Sequence, residues 1–118
     1  MATQIIEMLL LLASLQTQLT EAKAQYFDEQ TITFNELPIE LQFVSLCESN
    51  AKQSARGPYG EIGLMQINKI HIPTAKKLGL NVYDASDNLK FALYLYEKNG
   101  LKDWYSSRKC WQKQVAQR

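Results

Sequence analysis

This chain has little histidine and little cysteine: His71 stands alone, and the cysteines are Cys47 and Cys110 only. With one imidazole and no CxxC pair, no zinc site is expected, and nothing in the sequence calls for a cofactor. Two cysteines permit one bridge at most. A run of apolar residues long enough for a membrane-spanning helix is also missing, because Met8 to Leu15 is too short, so no stable membrane insertion is expected. Internal repeats, low-complexity tracts and long linkers are absent as well, which argues against a second domain. What remains is 118 residues with 46% hydrophobic and 21% charged side chains, the ordinary make-up of one globular domain over residues 1–118.

Charge is unevenly spread. Residues 1–51 hold seven acids against Lys23 alone, whereas residues 52–118 hold twelve Lys and Arg against five acids. A basic second half suits a polyanion such as a bacterial wall or a nucleic acid, although solvated helix faces that happen to be basic give the same count. Aromatics interleaved with Lys and Arg from Trp104 to Trp111 are compatible with nucleic acid, but no recognised motif supports that partner, and none is expected.

At the N-terminus, Ile5, Met8, Leu9, Leu12, Leu15 and Leu19 follow helical spacing, with Gln4, Glu7, Gln18 and Glu21 at polar positions. Residues 1–24 therefore read as an amphipathic helix. A degenerate export signal is the alternative, but the stretch lacks a basic start and carries Glu7 where positive charge belongs.

A catalytic core is expected over residues 36–112. Thr31 to Phe34 has strand-like composition but is too short to build a sheet alone. Pro38 suits a first helical turn, and Leu41, Phe43, Val44 and Leu46 carry that helix into Cys47-Glu48. Gly57-Pro58 and Gly60 mark a tight crossing with room for one small hairpin. Pro73 to Ala75 starts another helix, closed by Gly79. Ser86 is the expected cap of a longer one, with Leu89, Ala92, Leu93 and Tyr96 inward and Gly100 past its end. Trp104 to Trp111 reads as a short helix. A bridge between Cys47 and Cys110 would tie this tail to the helix bearing Glu48 and stabilise the fold by about 3–5 kcal/mol. Two buried free thiols are the alternative.

The most telling feature is a pair of acids in order. Cys47-Glu48-Ser49-Asn50 ends one helix, and thirteen residues after Glu48 comes Glu61, opening Glu61-Ile62-Gly63-Leu64-Met65-Gln66-Ile67-Asn68. Two carboxylates on opposite walls of a cleft are the usual equipment for cutting a glycosidic bond. Against an apolar helix face, Glu48 would be partly desolvated, which favours its protonated form. Without the downstream string, Glu48 would read as an exposed helix-end acid; for Glu61 the alternative is a solvated turn residue.

Glu48-Ser49 through Ala75 resembles the core of the soluble lytic transglycosylases, where a Glu-Ser pair precedes a Gly-Leu-Met-Gln turn and a Thr-Ala helix start. Asn88-Leu89 resembles the Asn-Ile/Leu that opens a later helix in those enzymes. The same segment is similar to chicken-type lysozyme, with Glu61 at the acidic position before Gly63 to Asn68. The resemblance spans roughly residues 40–96. It implies a mainly α, lysozyme-like α(+β) fold with at most one small hairpin. It also implies Glu48 as general acid and peptidoglycan glycan strands as partner. Gln66 and Asn68 would line the cleft. Ser49, Asn88 and Tyr94 are further candidates; the alternatives are a cap on the helix end for Ser49, the start of its helix for Asn88 and a place in the core for Tyr94. Tyr59 and Trp104 are candidate stacking platforms for sugar rings, though single aromatics in small domains more often pack. Met65 is as well suited to the core, and His71 to a structural role.

Two departures point the reading toward hydrolysis. Glu61 stands where the transglycosylases carry a small residue, and Gly57 where they often carry serine. The sequence thus suggests a muramidase cutting the β-1,4 bond after N-acetylmuramic acid, working as a monomer outside the cytoplasm. A lytic transglycosylase giving 1,6-anhydro ends, and an inactive lysozyme-like binding module, are the alternatives.

Overall fold

The computed structural model describes residues 4–16 and 31–116. The chain divides into two compact units, Met1–Gln30 and Thr31–Arg118. In the first, residues 4–16 form helix α1. The expected buried stripe is not seen there: Ile5, Met8, Leu9, Leu12 and Leu15 are all exposed, as are Ile6, Leu10 and Leu11. Those last three fall off the stripe, so the apolar surface runs round the helix and no single face is selected for burial. The expected continuation to residue 24 lies outside the described residues.

The second unit begins without the strand-like segment. Glu36 accepts both the backbone N–H (3.1 Å) and the hydroxyl (3.1 Å) of Thr33, and Phe34–Glu36 makes a single 3₁₀ turn. Ile32 N–H goes to the Ser86 hydroxyl (2.9 Å), a side-chain acceptor rather than a neighbouring strand. Helix α2 follows over Ile39–Ser49, with Pro38 at its N-cap and Leu41, Val44, Ser45 and Ser49 buried along one face.

The hairpin pairs β1 (Glu61–Ile62) with β2 (Ile67–Asn68), Glu61 opposite Asn68 and Ile62 opposite Ile67. Its turn is held from three sides. Asn88 accepts from Met65 N (2.9 Å) and donates to the carbonyls of Ile62 (2.9 Å) and Val82 (2.8 Å). Ser45 and Ser49 hydroxyls both donate to Leu64 O (2.8 and 2.7 Å), and Trp104 Nε1 to Met65 O (2.7 Å). Buried backbone groups in a turn must find such partners, and here nearby helical segments supply them. Gly63 is required: it has φ +77°, and a Cβ there would stand 2.6 Å from Asn88 Nδ2.

Helix α3 (Ile72–Lys77) leads to α4 (Ala85–Asn99), which Asp84 caps by accepting from Asp87 N (3.0 Å). Ser86 therefore does not cap it; its hydroxyl is engaged with Ile32. The buried face of α4 is also turned from the expected one, onto Asn88, Leu89, Phe91, Ala92 and Leu95. Leu93 and Tyr96 are only half-buried. A 3₁₀ segment, Lys102–Ser107, runs into α5 (Arg108–Ala116), which packs on α2. Cys47 and Cys110 are bonded across that contact, with Cα atoms 5.9 Å apart. The fold is mainly α with one small hairpin, around a core that includes Leu41, Val44, Met65, Ile67, Leu89, Phe91 and Trp104.

Candidate active site

Glu48 sits in the last turn of α2. The helix ends there because Asn50 and Ala51 both take left-handed backbone (φ 54° and 56°), and Ala51 N–H returns to Ser45 O at 3.3 Å. Asparagine tolerates that conformation better than most residues. The disulfide at Cys47 brings the C-terminal segment beside this end, and Ser107 Oγ lies 2.6 Å from Glu48 Oε1. Partial burial raises the Glu48 carboxyl above its ordinary range. The Ser107 hydrogen bond opposes that rise, and the negative charge of Glu61 adds to it.

The other wall is the hairpin. Glu61 opens β1, and its carboxylate accepts Tyr59 N–H at 2.8 Å. It lies over Gly57, where an added Cβ would collide with Glu61 Oε2 and stand 2.8 Å from Gln66 Oε1. The bare backbone at 57 and the longer acid at 61 thus fit each other, a link that lies four residues apart in the sequence and escapes a reading of each position alone. Gln66 holds φ 49° while its amide donates to Ala55 O (3.3 Å) and Gly63 O (3.0 Å).

Between the walls is a partly open cleft of about 150 Å³. Glu48, Glu61, Gln66, Asn68, His71, Asp103 and Ser106 supply its polar lining, with Ile67, Leu95 and Trp104 as apolar floor. His71 Nε2 lies 3.9 Å from Asp103 Oδ1, and Asn99 donates to Asp103 Oδ2 (3.1 Å). Among the described residues no group of three or more His, Cys, Asp or Glu side chains is placed to hold a metal ion.

The expected site residues divide. Glu48, Glu61, Gln66 and Asn68 meet at the cleft, Asn68 also accepting from Ile70 N (3.0 Å). Ser49 and Asn88 are buried and spend their polar atoms on backbone, so both position the hairpin rather than reach the cleft. Trp104 lines the cleft but is only 2% exposed, with no open ring face for a sugar. Tyr59 is 78% exposed at the turn and outside the cleft lining. Tyr94 packs at 5.5 Å on Phe91, with Lys98 Nζ 5.7 Å from its ring. Met65 is wholly buried.

Ser107 and Asp103 were not legible as site residues. The spacing of Trp104, Ser107 and Trp111 does place all three on one helical face, a signal that points to Ser107 once Trp104 is known to be buried.

The arrangement of a partly desolvated acid and a second carboxylate on one cleft agrees with a wider comparison. Residues 25–103 match the family described as Transglycosylase SLT domain. The chain belongs to that family. The match takes in about two thirds of the sequence, from before α2 to the start of the last 3₁₀ segment. Comparison with curated proteins and with solved structures returned no match. As an SLT domain, the protein is lysozyme-like in fold and a peptidoglycan-cleaving enzyme of the lytic transglycosylase type.

Proposed function

We propose that this SLT domain cuts peptidoglycan at the β-1,4 bond between N-acetylmuramic acid and N-acetylglucosamine, with Glu48 as acid and then base. The observation that carries this reading is the environment of Glu48: partly buried at a helix end, on the cleft, with its carboxyl held above the ordinary range. Such an acid keeps its proton nearer neutrality, as protonating a leaving group requires.

Glu48 gives its proton to the glycosidic oxygen as the C1–O bond breaks, and that oxygen leaves with the electron pair. The resulting carboxylate then takes a proton from the attacking hydroxyl as the new bond to C1 forms. We assign the sugar's own 6-hydroxyl as that attacker, giving 1,6-anhydro ends, because family membership favours transglycosylation. Attack by water is the second reading. It is favoured by Glu61, a second carboxylate on the same cleft and near enough for its charge to raise the Glu48 carboxyl.

Peptidoglycan as substrate implies action outside the cytoplasm, and we propose that the chain works there as a monomer. No described helix is long and apolar enough to cross a membrane. The test is digestion of isolated peptidoglycan by wild type and Glu48→Gln, with mass spectrometry of the released sugars. Wild-type release of 1,6-anhydro products, lost in the variant, is expected. Reducing ends would assign water, and no release from folded wild type would defeat the reading.

A further inference from the structure

Among the described residues, the side chain that hydrogen-bonds Glu48 is Ser107, which lies outside the part of the chain matched to the SLT family. Ser107 lies in the C-terminal segment beyond residue 103, which the Cys47–Cys110 bridge anchors one residue from Glu48. Its hydroxyl has three neighbours. Glu48 Oε1 is at 2.6 Å, Trp104 O at 3.0 Å, and Trp111 Nε1 at 3.0 Å.

A serine hydroxyl carries one hydrogen and two lone pairs. Trp111 Nε1 is only a donor, so it takes one lone pair in every state. The Trp104 carbonyl is only an acceptor. The single serine hydrogen therefore cannot serve Glu48 and Trp104 together, and the protonation of Glu48 decides where it goes.

When Glu48 is ionised, Ser107 donates to Oε1, and Trp104 O keeps the longer branch of the Trp111 N–H, which is shared between Oγ at 3.0 Å and Trp104 O at 3.3 Å. When Glu48 holds its proton on Oε1, that proton is donated to the second lone pair of Oγ, and the serine hydrogen turns to Trp104 O. All sites of the hydroxyl are then filled. When the proton sits on Oε2, Ser107 again donates to Oε1. Rotation of one hydroxyl accommodates every state, with no movement of heavy atoms.

We propose that Ser107 is the positioning residue of the Glu48 acid: it holds Oε1 through both protonation states and leaves Oε2 as the oxygen that passes the proton. This inference rests on the proposed function for the role of Glu48. The charged and titratable groups sharing the cleft with Glu48 are Glu61 from the hairpin, His71 before α3 and Asp103 from the 3₁₀ segment. Arg108, next to Ser107, is turned away to Tyr105 O (3.1 Å) and the Tyr105 ring (4.8 Å). Ser107 is thus the donor to Glu48 among these neighbours.

The test compares wild type with Ser107→Ala, Ser107→Cys and Ser107→Thr. The Glu48 carboxyl is titrated by ¹³C NMR, its signal assigned by loss in Glu48→Gln, and glycan release is followed against pH. Ser107→Ala removes a donor to the ionised form, so the Glu48 titration is expected to move to higher pH. The alkaline limb of activity should follow it upward. Maximal release should fall on the order of 10- to 100-fold, the worth of one hydrogen bond to a charged group.

Ser107→Thr should restore both readouts. Ser107→Cys, a weak donor that fills the same space, should move the titration the same way, and it carries the test if Ser107→Ala does not fold. An unmoved Glu48 titration in folded Ser107→Ala or Ser107→Cys would overturn the proposal and leave Ser107 a packing residue for Trp111. A shifted titration in an enzyme that releases no glycan would defeat the peptidoglycan reading while the Ser107–Glu48 pairing stands.

Discussion

Glu48 and Glu61 line one cleft from walls that are held in different ways. The helical wall is anchored over long range: a disulfide spanning 63 residues, the packing of α5 on α2, and a serine 59 residues away reaching the carboxylate itself. The hairpin wall positions its acid locally, through the N–H of Tyr59 two residues earlier and the bare backbone of Gly57. Burial accompanies the first arrangement and raises the acid that must hold a proton. The second leaves its carboxylate at a turn, beside the exposed Tyr59. The difference teaches that the raised acid is a product of tertiary contacts around Glu48, whereas the second carboxylate is placed by turn geometry.

The comparison breaks most sharply at Glu48. Glu48→Gln is expected to lower glycan release on the order of 100- to 10,000-fold, the usual worth of a general acid. Wild-type cleavage itself should decline as pH rises through the raised Glu48 value. The sign of the stability effect follows from the same shift. A carboxyl raised in the folded state favours folding below its unfolded value, and that contribution is lost as pH rises through the folded one. Glu48→Gln should therefore raise Tm by a few degrees at neutral pH and close the gap with wild type in acid, as followed by thermal melts across pH.

Next in size is the tether. Cys47→Ser combined with Cys110→Ser opens a 63-residue closure and should cost about 4 kcal/mol in denaturant unfolding. Its activity should fall further than any loss of folded protein explains, because Ser107 loses its anchor beside Glu48. Unchanged activity per folded molecule would mean that the helical wall holds its acid without the bridge.

The hairpin wall should respond less. Glu61→Ala is expected to reduce release by less than about tenfold if one carboxylate carries the chemistry, whereas a loss of 100-fold or more would make Glu61 a transition-state stabiliser. Gly57→Ala, which displaces the same carboxylate, should give a similar loss. Smallest of all is Tyr59→Ala, expected to leave release within about twofold, since a side chain 78% exposed and outside the cleft adds little. A larger fall would restore Tyr59 as a sugar platform.

Much of the helical frame was legible because its signals are local. Pro38, Pro73, Gly79 and Gly100 mark helix ends by their own backbone preferences: α2 starts just after Pro38, α3 carries Pro73 in its first turn and stops before Gly79, and α4 stops before Gly100. Where the sequence misled, a long-range partner had intervened. Ser86 looks like a cap but was claimed by Ile32, and Asp84 capped α4 instead. Asn88 and Ser49 sit in the motif that suggests the cleft, yet their polar atoms satisfy buried turn carbonyls. The turn cannot be buried without them, so packing accounts for them better than substrate does.

By itself the sequence determined that this is one small helical enzyme core with two acids in fixed order, because helix ends, glycine turns and residue chemistry act over a few positions. Tertiary structure alone decided that Glu48 is partly desolvated, which of its oxygens Ser107 holds, and that Gly57 seats Glu61. Those properties arise from side chains meeting across folded space, where burial and hydrogen bonding depend on neighbours that the linear order does not name.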